Sequence, residues 1–170
     1  EINLFTMKFI YSFMAFLFLF YSCSTKEEKI IHKADKLHEK MLTVDTHCDT
    51  PMHLEREGFD LGIKNDRGCV DFPRMKEGGL DAEFFAVFVG QGPRNDSAYI
   101  KEHNEALVIL DSIYSSIGRY PETAGVALTP DDAFRLKAEG KLAIFIGLEN
   151  GYPTGRNLSA IKEFYDRGTR

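Results

Sequence analysis

The sequence predicts an α/β protein assembled from parallel βα units, and three observations carry that prediction. Continuous apolar runs of strand length recur at residues 84–89 and 141–148, as expected for strands buried on both faces. Segments with helical spacing or helix-start signals stand between them. The resulting order of strand, helix, strand, helix is that of a sheet whose neighbours run the same way. A TIM-like (β/α)8 barrel is the expected closed form. A complete barrel needs about 250 residues, and the chain has 170, so it is expected to supply only the N-terminal part.

The first stretch stands outside that pattern. From Met7 a short basic start at Lys8 leads into an apolar block through Phe20 and Tyr21, followed by Ser22, Cys23 and Ser24. This is the layout of a secretory signal. The apolar run of roughly a dozen residues falls short of the ~20 that a membrane-spanning helix needs. Glu1 to Thr6 lie ahead of the start and read as translated upstream sequence. A small residue followed by Cys23 resembles the lipobox of bacterial lipoproteins, whose cysteine is lipidated and becomes the new N-terminus. Phe20 and Tyr21 depart from its usual Leu and small residue. Residues 1–22 are thus assigned to upstream sequence and signal peptide, 23–29 to the lipid-anchor Cys23 and a polar tether, and 30–170 to the folded part. The expectation is an exported protein of the bacterial cell envelope, lipid-anchored on the periplasmic or outer-membrane face.

The folded part reads in order. Residues 30–42 carry Ile30, Ile31, Ala34, Leu37, Met41 and Leu42 at helical spacing. His32 and His38 lie six apart on that helix, share no face, and read as solvated. Residues 43–47 form a short strand running into the turn Cys48-Asp49-Thr50-Pro51, and 58–68 is a charged, glycine-rich loop. Asp71 and Pro73 start a short helix that Gly78-Gly79 stops. After the strand at 84–89, Ser97 can cap a long helix reaching Ile117, with Ala106, Leu110 and Ile113 on its inner side. A brief apolar segment at 126–128 precedes Thr129-Pro130-Asp131-Asp132, a helix start with Thr at the cap and acids in the first turn. That helix ends at Gly140, the strand at 141–148 follows, a last helix spans 158–166, and the residues up to Arg170 read as a turn.

Composition narrows the function classes. A formal charge of −5 with 44% hydrophobic residues is globular, and without a basic run there is no electrostatic footprint for nucleic acid. Cys48 and Cys69 have no zinc-finger spacing and read as two unpaired, partly buried thiols, although an oxidising compartment would permit a pair.

Chemistry concentrates at two strand ends. His47-Cys48-Asp49 closes the first strand, at the rim where barrels keep their active sites. Residues two apart on extended backbone point the same way, so imidazole and carboxylate project together while Cys48 turns into packing. Both are ligands for zinc and similar ions. Glu149 ends the apolar run of the later strand, inside Gly147-Leu148-Glu149-Asn150-Gly151. An acid beside such a run is rare unless paired or metal-bound, the other reading being a carboxylate that caps the next helix. The flanking glycines suggest backbone approached closely by something else. His53 reads as a turn histidine near the site, and His103 as an exposed one on the long helix.

These pieces stand in an ordered set: residues 44–51 (VDTHCDTP), Asp71-Phe72-Pro73-Arg74 followed by Gly78-Gly79, the strand from Phe84, and Lys141-Leu142-Ala143 leading to Gly147-Leu148-Glu149. In that set the chain, from about Lys36 onward, resembles the N-terminal part of the membrane (renal-type) dipeptidase family, zinc-dependent enzymes of animals and bacteria. The resemblance implies a (β/α)8 barrel with two zinc ions. His47 and Asp49 match the pair holding one ion, and Glu149 matches the catalytic carboxylate that bridges both. The implied reaction is hydrolysis of a dipeptide by a hydroxide shared between the ions. A homodimer is consistent with several relatives, and the lipid at Cys23 would make the membrane a partner.

Two departures stand out. Many relatives have Glu-Gly-Gly-His where this chain has Glu149-Asn150-Gly151-Tyr152, a change at the pocket edge. The family also uses histidines downstream of the bridging Glu, whereas His32, His38, His47, His53 and His103 all precede Glu149. The 170 residues are therefore expected to be a fragment of a longer product, inactive alone. The competing readings are another HxD metal amidohydrolase, against which Asp49 in place of a second His argues, and a non-catalytic truncated envelope lipoprotein.

Overall fold

The computed structural model describes residues 25–170, so Cys23 and the leader lie outside the described residues. The chain divides into two compact units, 1–40 and 41–170. The first contributes α1, Lys26–Lys40, whose residues are all solvent-exposed. It begins at Lys26 rather than Ile30 because Thr25 and Glu28 exchange hydrogen bonds as a capping box, Thr25 N donating to Glu28 Oε2 at 2.7 Å and Glu28 N to Thr25 Oγ1 at 3.1 Å. Among the described residues no helix is long and apolar enough to cross a membrane.

The second unit is built on a parallel sheet of β1 (Val44–Cys48), β2 (Ala82–Phe88), β3 (Ala124–Val126) and β4 (Leu142–Glu149), in the order β1-β2-β4-β3. β2 and β4 are the buried centre, as their continuous apolar sequences predict, and β1 is an exposed edge. Helices α2 (Phe72–Gly78), α3 (Asp96–Gly118) and α5 (Ser159–Asp166) cover one face. There Phe72, Met75, Leu110, Ile113 and Phe164 pack with Phe85, Val87, Ile144 and Ile146.

The strand order departs from simple succession. The chain steps over the place of β4 to lay down β3, then returns. Parallel crossovers are right-handed in almost every case, so a step back must carry its helix across the opposite face of the sheet. The packing agrees: Ala133 and Leu136 of α4 (Pro130–Ala138) sit with Ala82, Ala143 and Phe145, the strand residues pointing away from the main core. β3 pairs only with the first part of β4, Ala124↔Leu142 to Val126↔Ile144. Above it, Thr169 bridges Ile146 and Arg170 N donates to Ile146 O at 2.8 Å, so the expected turn is the start of a further parallel pairing on the same edge.

Local signals fix most helix ends. Asp71 caps α2, accepting from Arg74 N at 2.9 Å, and Gly79 at φ 68° closes it. Thr129 and Asp132 form a capping box on α4. The long helix α3 is capped by Asn95, whose Oδ1 accepts from Ala98 N at 2.9 Å, and not by Ser97. Both are good cap types, and the choice falls to Asn95 because its backbone is the extended one.

Candidate metal centre

β1 does not pair regularly. Asp45 stands opposite Glu83 and Cys48 opposite Phe85, so Thr46 and His47 together face the single residue Phe84. This bulge decides which side His47 presents. Val44 pairs with Ala82 on the face away from the main core, and strict alternation would put Thr46 there and send His47 towards the helices. The extra residue reverses the phase. Cys48 joins the main core beside Phe85, its Sγ 3.1 Å from Thr50 Oγ1, and His47 comes out on the opposite face with Phe84.

Asp49 lies just beyond the strand, at φ −84° and ψ 12°, heading the 3-10 turn Thr50–His53. The backbone has left the extended form, yet its carboxylate still meets the imidazole, with His47 Nε2 3.4 Å from Asp49 Oδ1. Glu149 is the last residue of β4, in register with Phe88, and shares the outward parity of Ala143 and Phe145. Its Oε2 lies 3.4 Å from His47 Nε2. One ligand atom from each of His47, Asp49 and Glu149 falls within 4.8 Å of the others. The helix-capping reading of Glu149 does not hold. The following 3-10 turn, Tyr152–Thr154, has Gly151 at its cap and no side-chain cap.

The donor set fits a cation. An imidazole nitrogen and two carboxylates form an N,O,O set suited to zinc-like ions. Glu149 Oε2 is buried without a hydrogen-bond donor, its nearest polar neighbour being His47 Nε2 at 3.4 Å, an arrangement that a bound cation would complete. His47 and Glu149 border an open cleft of about 290 Å³ whose floor includes Phe84, Ala86 and Gly147. Phe84 stacks on Phe145 at 4.5 Å beneath it. The glycine expectation is corrected: a Cβ at Gly147 would meet nothing within 4 Å, so its bareness opens the cleft and admits no neighbouring backbone.

Neither His53 nor His103 joins the site. His53 packs on Phe59 at 5.5 Å, away from the cleft. His103, expected to be exposed, is mostly covered. Its Nδ1 lies 3.1 Å from Pro153 O, its Nε2 3.3 Å from Glu163 Oε2, and its ring sits edge-on to Phe164 at 5.3 Å. Charged sequence neighbours concealed that packing. Tyr152 is turned towards α3, against Tyr99 at 5.2 Å with its hydroxyl donating to Pro93 O at 2.7 Å, and does not line the cleft. Among the cysteines, Cys48 is half-buried and Cys69 exposed, and both are free.

Comparison with known proteins places this geometry. The profile of the membrane dipeptidases, peptidase family M19, matches residues 31–170. Dipeptidase ataJ of Aspergillus terreus is 23% identical over 147 residues, covering 81% of this chain and 36% of that protein. Human dipeptidase 3 is 27% identical over 143 residues, covering 81% of this chain and 28% of its own. Among solved structures, the probable dipeptidase PvdM from Pseudomonas aeruginosa superposes with a TM-score of 0.73 at 25% identity, over 84% of this chain and 36% of that one. A Rhodobacter sphaeroides metallopeptidase, solved with a phosphinate mimic of the dipeptide L-Ala-D-Ala, shares the fold at TM-score 0.65 and 21% identity, over 76% of this chain and 44% of that one. The chain spans about a third of the length of the curated relatives it matches, and its sheet is part of their TIM-like barrel. It belongs to the membrane dipeptidase family, peptidase family M19.

Proposed function

We propose that the complete protein hydrolyses dipeptides at a metal centre to which this chain contributes His47, Asp49 and Glu149. The observation that carries the reading is the meeting of those three side chains at two strand ends, around a buried carboxylate oxygen with no hydrogen-bond donor. His47 and Asp49 would hold one zinc ion, and Glu149 would reach both ions of a pair. When bound, zinc supplies Lewis acidity towards a peptide carbonyl and makes water acidic enough to attack near neutral pH. The chain's own residues do the holding and the shaping. β1 presents His47, the turn after it Asp49, and the end of β4 Glu149, and Phe84, Ala86 and Gly147 leave room for a short substrate above the floor. The leader pattern with Cys23 supports an exported, lipid-anchored enzyme acting on peptides at the cell envelope.

The test is hydrolysis of alanyl dipeptides by the product of the complete reading frame. Activity should vanish with a chelator and return with Zn2+, and His47→Ala or Glu149→Gln should lower it at least 100-fold, since removing a ligand disables the site. Hydrolysis that ignores the chelator, or survives both substitutions, would exclude the proposal.

A further inference from the structure

Asn150 follows Glu149 directly and is, among the described residues, the only non-glycine with positive φ, at 63°. Glycine takes that backbone most cheaply, and Asn tolerates it better than most side chains do. What Asn150 adds over glycine is its amide. Nδ2 donates to Val89 O at 3.1 Å, and Oδ1 accepts from Tyr152 N at 2.8 Å. The first bond ties β4 to the end of β2 just past their last registered pair, Phe88↔Glu149. The second closes the turn into Tyr152–Thr154. Val89 is buried in the main core, so the tie is made to a fixed point.

The Glu149 carboxylate has no comparable hydrogen-bonded tether: its buried Oε2 lacks a hydrogen-bond partner and has only the partly exposed His47 imidazole near it, at 3.4 Å. Where its carboxylate aims is therefore set by the backbone on either side. The β2–β4 ladder fixes the preceding side and the Asn150 amide fixes the following one.

We infer that Asn150 is a positioning residue for the metal centre: by tying the turn after β4 to the end of β2, its amide holds the Glu149 carboxylate towards His47 and Asp49. This rests on the metal-centre reading above. Outer partners that hold ligands in place typically contribute 10–100-fold to metal affinity.

The experiment is titration of the product of the complete reading frame with Co2+, followed by its visible absorption, alongside far-UV circular dichroism and thermal melting. Asn150→Gly keeps the backbone conformation at no steric cost and deletes both amide bonds. It should bind Co2+ about tenfold more weakly, with an altered absorption band and unchanged secondary structure. Asn150→Ala adds backbone strain and should bind more weakly still. Thr129→Ala, which removes the α4 cap outside the centre, should lower the melting temperature and leave Co2+ affinity unchanged. Wild-type affinity in Asn150→Gly would overturn the inference, as would an equal weakening in Thr129→Ala. A complete wild-type protein that takes up no Co2+ would remove the metal-centre reading, and this inference with it.

Discussion

Glu83 sits on β2 with no exposed surface, and neither of its carboxylate oxygens meets a hydrogen-bond donor. Burial, reinforced by Asp45 beside it across the strands, pushes its pKa from 4.5 to about 8. The folded chain therefore holds this acid neutral at pH values where the unfolded chain ionises it. Stability from this group is full below 4.5 and is lost as pH rises through about 8. A shift of that size corresponds to on the order of 5 kcal/mol across the window. Glu83→Gln keeps the shape without the charge, so urea unfolding should find the variant near wild type in mild acid and clearly more stable at about pH 9. Parallel pH curves for the two proteins would show that Glu83 is not held neutral. The sequence concealed this residue for a physical reason. An acid just ahead of Phe84-Phe85 reads as the boundary of an apolar run, whereas the strand begins at Ala82 and takes Glu83 inside. His47, Asp49 and Glu149 were legible because they stand at or just past the ends of β1 and β4, where a polar side chain can reach solvent.

Elements whose ends are written locally were read closely, and those set by a partner strand were not. The α2 start needs only Asp71, Pro73 and the stop at Gly78-Gly79, all within one short segment. The β1 bulge, which turns His47 to the cleft, exists only in the register with β2, and no feature of residues 44–48 announces it. Asp71 shows how much one cap can hold. It is fully buried and receives Arg74 N at 2.9 Å, Arg74 Nε at 2.8 Å and Asn65 N at 3.0 Å. Burial would raise its pKa, but the bonds from Arg74 and Asn65 outweigh that and hold the carboxyl below the usual range. With a depressed folded pKa, its stabilisation is present above the ordinary carboxylate pKa and is lost as pH falls through the folded one. Asp71→Ala should cost roughly 2–4 kcal/mol near neutral pH, combining a lost cap with lost charge-assisted bonds in a buried site. The gap from wild type should shrink in acid. A gap that stays constant between neutral pH and about pH 3 would assign the loss to packing alone.

At the scale of the whole molecule, the apolar runs and helix signals specify βα units but leave open which neighbour each strand takes. β3 is three residues long, and its place beyond β4 follows from pairing partners far away in sequence. The consequence is that α4 lies on the cleft side of the sheet, while the other helices of this unit back the opposite face. Gly125 is where this arrangement is tightest. A Cβ there would come within 2.7 Å of Leu136 Cδ2, so glycine at β3 is what lets α4 close on the sheet. Leu136 is itself buried at 4% exposure. Gly125→Ala alone should destabilise the chain by about 1–2 kcal/mol through overpacking. Leu136→Ala alone should cost roughly 2–4 kcal/mol through the cavity it leaves. Combined, the added methyl occupies space that Leu136 has vacated, so the double variant should be more stable than the two losses added together, by about 1 kcal/mol or more. That coupling requires direct contact between β3 and α4 on the cleft face. Strictly additive losses in urea unfolding would mean that the helix crosses elsewhere, and the strand order β1-β2-β4-β3 would lose the packing that accounts for it.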